Sequence, residues 1–345
     1  MDADIFLILL QDGVVNGAIY ALLALSLVLV FAVTRVIFIP QGEFVAFGAL
    51  SYATLDLGRT PRSIWLLLAL GAAATVCGLW TQRRTLNRTA LAMLLSETAV
   101  FPLAVAGLVL WLAPLKLGVA VEAILALAIV TPMGLLIYRV AFQPLAEASV
   151  LVLLIAAVGV HLALVGLGLV FFGPEGSRAT AFSSANFTLG PLSVPGQALW
   201  ILGFTALLIV GLYLFFGFTL HGKALRATAV NRLGARLVGI PTADAGRIAF
   251  GLAGFIGALS GVLIAPLTTV YYDSGFLIGL KGFVAAIVGG LVSYPIAATA
   301  AIAVGCVESF ASFWASAFKE VIVFSVIVPV LLWLSLRSGA PAEEE

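Results

Sequence analysis

Apolar residues fill this chain in runs of about twenty, and those runs set its architecture. They lie at roughly 5–33, 42–57, 63–81, 90–113, 119–140, 148–172, 196–219, 242–267, 278–294, 296–316 and 319–336. A helix needs ~20 predominantly apolar residues to cross a bilayer, so the pattern predicts about eleven membrane-spanning helices. The runs are continuous, unlike the alternating segments of ~10 residues that build a membrane β-barrel. The second and ninth are short and interrupted by Gly or Pro. Short or broken spans are tolerated at membrane depth where they face protein or a water-filled cavity, so these two point to a pathway. The predicted fold is an all-α polytopic bundle with a single membrane-spanning domain, residues 1–345.

One long polar stretch breaks the pattern, residues 221–247. Five of the seventeen Lys and Arg residues fall in it: Lys223, Arg226, Arg232, Arg236 and Arg247. Leu225, Ala229, Leu233 and Leu237 recur every four residues, which predicts one apolar side of a short helix. Gly239, Ile240 and Pro241 then supply a helix end. Two readings stay open on pattern alone. Anionic lipid can hold such a helix in the interface, or a cytoplasmic partner can take it in a groove.

Charge orients the chain. If 221–247 is cytoplasmic, Arg35, Arg83, Arg84, Arg88, Arg139 and Arg337 also fall inside, giving eleven basic residues there. Arg59, Arg62, Lys116, Arg178, Lys281 and Lys319 fall outside. The N-terminus is then outside, and the acidic tail Glu343–Glu345 inside. Residues 173–196 form the largest outside loop, rich in Gly, Ser and Pro, and a candidate contact surface.

Composition agrees: 63% of the 345 residues are hydrophobic and 10% charged, against about 25% charged in soluble domains. A net charge of +1 gives no sign of a nucleic-acid partner. Cys77 and Cys306 lie inside apolar runs, so no disulfide framework is indicated. The first run is too long for a cleaved signal peptide and has no basic segment before it. His161 and His221 lack Cys or carboxylates at metal-ligand spacing, so neither metal nor cofactor is expected. Residues 217–223 match G-x-x-x-x-G-K, yet Ala224 stands where a Mg²⁺-binding hydroxyl belongs. No catalytic constellation stands out, and an enzyme is not expected.

Two carboxylates, Glu43 and Glu308, fall beside or within spans. A charge at the bilayer centre costs ~2.5–3.5 kcal/mol or more, so each needs a partner. They either line a solute path or brace helices, and together with Asn16 and Gln41 they are the pathway candidates. Asp12 and Asn16 sit near the start of the first span, close to the interface, and Gly13 and Gly17 give it a small-residue face. Gly254, Gly257 and Gly261 form a second packing seam. One class that fits is an ion-coupled secondary transporter in which Glu43 or Glu308 carries a proton.

Four ordered blocks bring in a known family. NGAIYALLALSLVLVFAVTRVIFIPQGEF (16–44), YRVAFQPLAEASVLVLLIAAVG (138–159), GKALRATAVNRLGARLVGI (222–240) and LKGFVAAIVGGLVSYPIAATAAIAVGCVESF (280–310) resemble the permeases of branched-chain amino acid ABC importers, of the LivH/LivM type. The resemblance implies a permease subunit in a bacterial inner membrane. It also implies cytoplasmic ATPase subunits, a second permease (identical or homologous) and a substrate-binding protein outside. The expected ATPase-coupling residues are Lys223, Leu225, Arg226, Asn231, Arg232, Leu233, Arg236 and Gly239. Family solutes include branched-chain and other amino acids, amides and urea. The chain departs from the family's N-F-A-H-G-E, reading Phe38-Ile39-Pro40-Gln41-Gly42-Glu43. Residues 60–115 look like an insertion of two spans.

Overall fold

Inside a bilayer no water is available to satisfy backbone groups, and a helix satisfies them within its own segment. The computed structural model describes residues 3–82, 87–190 and 192–338, and the apolar runs in it are helices. Arg83, Arg84 and Glu343–Glu345 lie outside the described residues. The first half comprises α1 (Ala3–Thr34), α2 (Gln41–Asp56), α3 (Ser63–Gln82), α4 (Arg88–Leu95), α5 (Phe101–Leu112), α6 (Val119–Ile137) and α7 (Val150–Phe172). A π-helical turn, Ser96–Val100, joins α4 to α5. A small antiparallel hairpin follows, β1 (Asn186–Leu189) and β2 (Leu192–Pro195), with Phe187 opposite Val194. The second half comprises α8 (Gly196–Phe218), α9 (Leu220–Val230), α10 (Arg232–Leu237), α11 (Thr242–Ile264), α12 (Ser274–Val288), α13 (Tyr294–Trp314), α14 (Lys319–Ser325) and α15 (Ile327–Ser338).

Among the described residues, eight helical stretches are long and apolar enough to cross a membrane. The two short runs become α2 and α12, of 16 and 15 residues. The last run is broken between α14 and α15. Two of the expected features change. The helix of the ninth run, α12, starts at Ser274, earlier than the run itself, and Lys281, expected on the outside, is buried on it. The apolar stripe at 225–237 does not lie on one helix, because Asn231 separates α9 from α10.

Glycines set how closely the central helices meet. The Gly13–Gly17 face of α1 lies on the backbone of α13 at Ile302, Gly305 and Cys306. Of the second seam, Gly254 meets Thr131 and Gly134 of α6, while Gly257 and Gly261 meet α2 at Phe44 and Val45. At the start of α2, a Cβ on Gly42 would stand 1.9 Å from the Gly275 carbonyl oxygen of α12. Backbone-to-backbone approach of this kind replaces the hydrophobic drive that helices lack in lipid. α1 and α11 are mostly enclosed by their neighbours, whereas α7 and α8 leave most of their apolar surface facing outward. α3 and α5, which make up most of 60–115, stand against α6 at the edge.

Candidate functional site: translocation path and coupling segment

Asn16 and Glu308 meet in one cavity. It measures 470 Å³ and is lined by Asp12, Asn16, Glu308, Ser309, Ser312 and Lys319, with Pro195 and Ala198 of the β2–α8 corner closing one side. Glu308 is buried on α13. It accepts hydrogen bonds from the Tyr20 hydroxyl at 2.5 Å and from Lys281 Nζ at 2.5 Å. Lys281 also donates to Glu320 Oε1 at 3.2 Å. The cation is thus shared by two carboxylates, and the tyrosine occupies a further lone pair of Glu308. Four helices, α1, α12, α13 and α14, are joined at this point. Sequence reasoning found Glu308 but not its partners. A lysine at the head of a short Gly-rich run was the legible signal, whereas Tyr20 looked like any apolar-run residue.

Glu43 and Gln41 lie elsewhere. Both are buried at the first turn of α2, after the Pro40 that starts the helix. Gln41 Nε2 donates to the Ala253 carbonyl of α11 at 3.0 Å and so fastens α2 to the seam beside Gly257. Glu43 Oε1 is 3.0 Å from Nδ1 of His161 on α7. That contact is off the hydrogen-bonding direction and leaves both Glu43 oxygens without a hydrogen bond in the structure. The imidazole in turn lies 4.8 Å from the Phe276 ring. Phe38 packs at the centre of Phe44, Phe142 and Phe250. A second polar site, Glu43 with His161, is therefore enclosed between α2, α7 and α12. His161 could not be paired with it from sequence, because the two residues come from helices far apart along the chain.

The segment 221–247 is a pair of capped helices. Thr219 Oγ1 accepts from Gly222 N at 3.0 Å to start α9, and Asn231 Oδ1 accepts from Gly234 N at 2.8 Å to start α10. Capping of this sort satisfies backbone donors that a helix start leaves free. Asn231 thereby ends one helix and begins the next, which is why the four-residue stripe divides. Leu225 is buried against Leu29, Val33, Ala245 and Ala249. Leu233 and Leu237 are 68% and 80% exposed, beside exposed Val230 and Val238. Gly239 closes α10 at φ +84°, with Gly239 N bonded to Arg236 O and Ile240 N to Ala235 O. A side chain at that left-handed position would be strained.

The arginines divide too. Arg232 Nη1 donates to the Ala146 carbonyl at 2.8 Å. Arg236 Nη1 donates to Glu147 Oε1 at 2.8 Å, and its Nε to Thr242 Oγ1 at 3.0 Å. Hydrogen bonding and charge from Arg236 hold the Glu147 carboxyl below the usual carboxylate range, so this tie persists above that range and is lost as pH falls through the lowered pKa. Arg247 is held by Glu97 at 2.8 Å and Asp244 at 2.7 Å, and Glu97 also takes Arg139 at 3.2 Å. Lys223 and Arg226 form no ion pair among the described residues. They edge an open groove with Val230, Asn231 and Val238.

At the other end of the bundle, hydrogen bonds tie Arg178, Thr180 and Phe182 down. The Asp56 carboxylate accepts from the Thr180 amide at 2.8 Å and from its hydroxyl at 2.7 Å. Arg178 Nε donates to the Pro266 carbonyl at 2.9 Å, and Gln197 Nε2 to the Leu263 carbonyl at 2.8 Å. Phe187 projects from the hairpin, 51% exposed.

Comparison with known proteins places this arrangement. Residues 9–334 match the family described as branched-chain amino acid transport system / permease component. The chain is 27% identical to the high-affinity branched-chain amino acid transport system permease protein LivH of Escherichia coli K12 over 352 residues, covering 95% of this chain and 94% of that protein. It is 31% identical to LivH of Salmonella typhimurium over 220 residues, 60% of this chain and 70% of the relative. The BraD permease of Pseudomonas aeruginosa is 30% identical over 207 residues, 58% and 67% of the two chains. The chain belongs to the branched-chain amino acid transport permease family, and is a multi-pass inner-membrane permease component of an amino acid transporter.

Proposed function

We propose that this permease works as one membrane subunit of an ATP-driven importer for branched-chain amino acids, the solutes named for its relatives. The observation that carries the reading is the build of α9 and α10. Two capped helices present Val230, Leu233, Leu237 and Val238 to solvent, while Arg232 and Arg236 tie them to residues 146–147 and Leu225 anchors them to α1 and α11. A rigid, anchored, apolar protrusion suits a helix seated in the groove of an ATPase subunit. Closure of that ATPase would push on α9, and thereby on α1 and α11, shifting the population between outward and inward access. Lys223, Arg226, Asn231 and Gly239 form the polar edge and the turn of this contact, with Arg232 and Arg236 fixing its angle.

The Asn16–Glu308 cavity is the proposed solute entrance, and Glu43 and Gln41 at the start of α2 are proposed to lie further along the same route. A second permease, identical or homologous, completes the path. The hairpin with Phe187 offers a docking point for a substrate-binding protein. Leu233→Asp tests the reading: ATPase subunits should no longer co-purify and uptake should stop, while membrane insertion stays normal. Unchanged uptake together with unchanged co-purification would refute it. The enclosed Glu43–His161 pair favours one rival, a proton-coupled carrier. Uptake that survives ATP depletion but collapses with an uncoupler would select that rival.

A further inference from the structure

Arg35, together with Arg226 from the edge of the proposed ATPase contact, points to a further ligand. Both line a cavity of 290 Å³ where the ends of α1, α8, α9 and α13 converge, with Phe31, Phe216, Leu291 and Tyr294 as its other main walls. Among the described residues no acidic side chain lines it, and neither arginine forms an ion pair. Arg35 is placed there at some cost to the backbone. It ends α1 in the left-handed region, at φ +61°, and Leu291 on the opposite wall does the same at φ +56°. Non-glycine residues persist in that region only where their surroundings over-determine it.

A second cavity adjoins the first. It measures 500 Å³ and runs between α1, α8 and α13 along Leu25, Leu212, Tyr213 and Ala298, and it shares Arg226, Phe216 and Tyr294 with the basic one. It too has no acidic lining, and its long walls are almost wholly apolar. The pair reads as a continuous slot with two guanidinium groups at one end, neither paired with a carboxylate and Arg35 lying 5.9 Å from the Phe31 ring centre, and hydrocarbon along the rest. Basic pockets between membrane helices at the cytoplasmic end bind anionic lipid headgroups, and guanidinium groups suit a phosphodiester.

We propose that this slot binds one anionic phospholipid, its phosphodiester between Arg35 and Arg226 and an acyl chain along Leu212 and Ala298. The lipid sits against both the exit of α1 and the root of α9. It therefore fills the hinge region between the bundle and the coupling segment and props α9 in place.

The test uses the full chain purified with its partner subunits in mild detergent, stripped of lipid, with phosphatidylglycerol or phosphatidylcholine added back and adducts read by native mass spectrometry. Phosphatidylglycerol should be retained in preference to phosphatidylcholine. Removing both charges, Arg35→Gln with Arg226→Gln, should weaken retention by about thirtyfold, the effect of two basic residues near an anionic headgroup. Arg35→Gln alone should give part of that loss with ATPase co-purification unchanged, since Arg35 lies outside α9 and α10. Ala298→Trp, which fills the acyl slot and leaves both arginines, should also expel the lipid. Equal retention of the two lipids, or undiminished retention by the double variant, would overturn the proposal. So would displacement of phosphatidylglycerol by equimolar inorganic phosphate, which would mark a free-anion site.

Discussion

The Glu308 carboxylate illustrates how a buried charge acquires its neighbours. It lies between the Tyr20 hydroxyl and Lys281, which also reaches Glu320. Removing one member of a buried ion pair leaves an uncompensated charge and costs roughly 3–5 kcal/mol, whereas replacing both partners is often near neutral. Lys281→Met should therefore lower the thermal unfolding temperature in detergent, and Lys281→Met combined with Glu308→Gln should recover most of the loss. A stable single variant would show that the pair does not brace the four helices. The Glu43–His161 contact behaves differently, because neither Glu43 oxygen has a hydrogen bond. His161 Nδ1 stands 3.0 Å from the Glu43 carboxylate, and the pair is enclosed where α2, α7 and α12 pack. His161→Leu should depress solute uptake as strongly as Glu43→Gln, with expression retained. Normal uptake by both variants would remove the site from the mechanism. Of these residues Glu43 and Glu308 were legible beforehand, because a carboxylate in an apolar run is conspicuous, whereas Tyr20 and His161 are not.

At the scale of helices, the close crossings rest on individual glycines and make them unequal. A Cβ at Gly42 would meet the Gly275 backbone at 1.9 Å, and one at Gly305 would meet Gly13 O at 2.3 Å. Gly107 has nothing within 4 Å of its would-be Cβ. Gly42→Ala and Gly305→Ala should thus cut the yield of monodisperse protein sharply, since backbone cannot yield as a side-chain end can, and Gly107→Ala should not. Size-exclusion profiles of the three variants would decide it, and a normal Gly42→Ala profile would contradict the crossing. The coupling segment carries a different lesson. Its four-residue apolar spacing was real, yet Asn231 cut it in two, because a side-chain oxygen that caps Gly234 N competes with continuing the helix. That break turns Leu225 inward and leaves Leu233 and Leu237 free.

For the molecule as a whole, the two ends differ in how they are tied. Near α9 and α10, arginines grip residues 146–147 and Glu97. At the opposite end, Asp56, Arg178 and Gln197 hold 173–196 to α2 and α11. α11 touches both α9 and α10 at one end and, through the Gln197–Leu263 hydrogen bond, the start of α8 at the other. Asp56→Ala should loosen the outer loop, and a lower rate of uptake stimulated by a binding protein, with uptake of high free solute preserved, would show it. Loss of both kinds of uptake would instead place Asp56 in the path or the fold.

Hydrophobicity is a property of local composition, so the sequence alone determined that this chain crosses a membrane many times and that α2 and α12 are short, while the number and bounds of the spans waited for the structure. It also marked the basic stretch and the family, because both are written in contiguous residues. Tertiary structure alone decided which polar residues meet, Lys281 with Glu308, His161 with Glu43 and Arg236 with Glu147, and that Arg35 and Arg226 line one cavity. Those pairings depend on which helix faces cross at a glycine and at what depth. No residue-by-residue pattern carries that information, because it arises only when backbones from distant parts of the chain pack within contact distance.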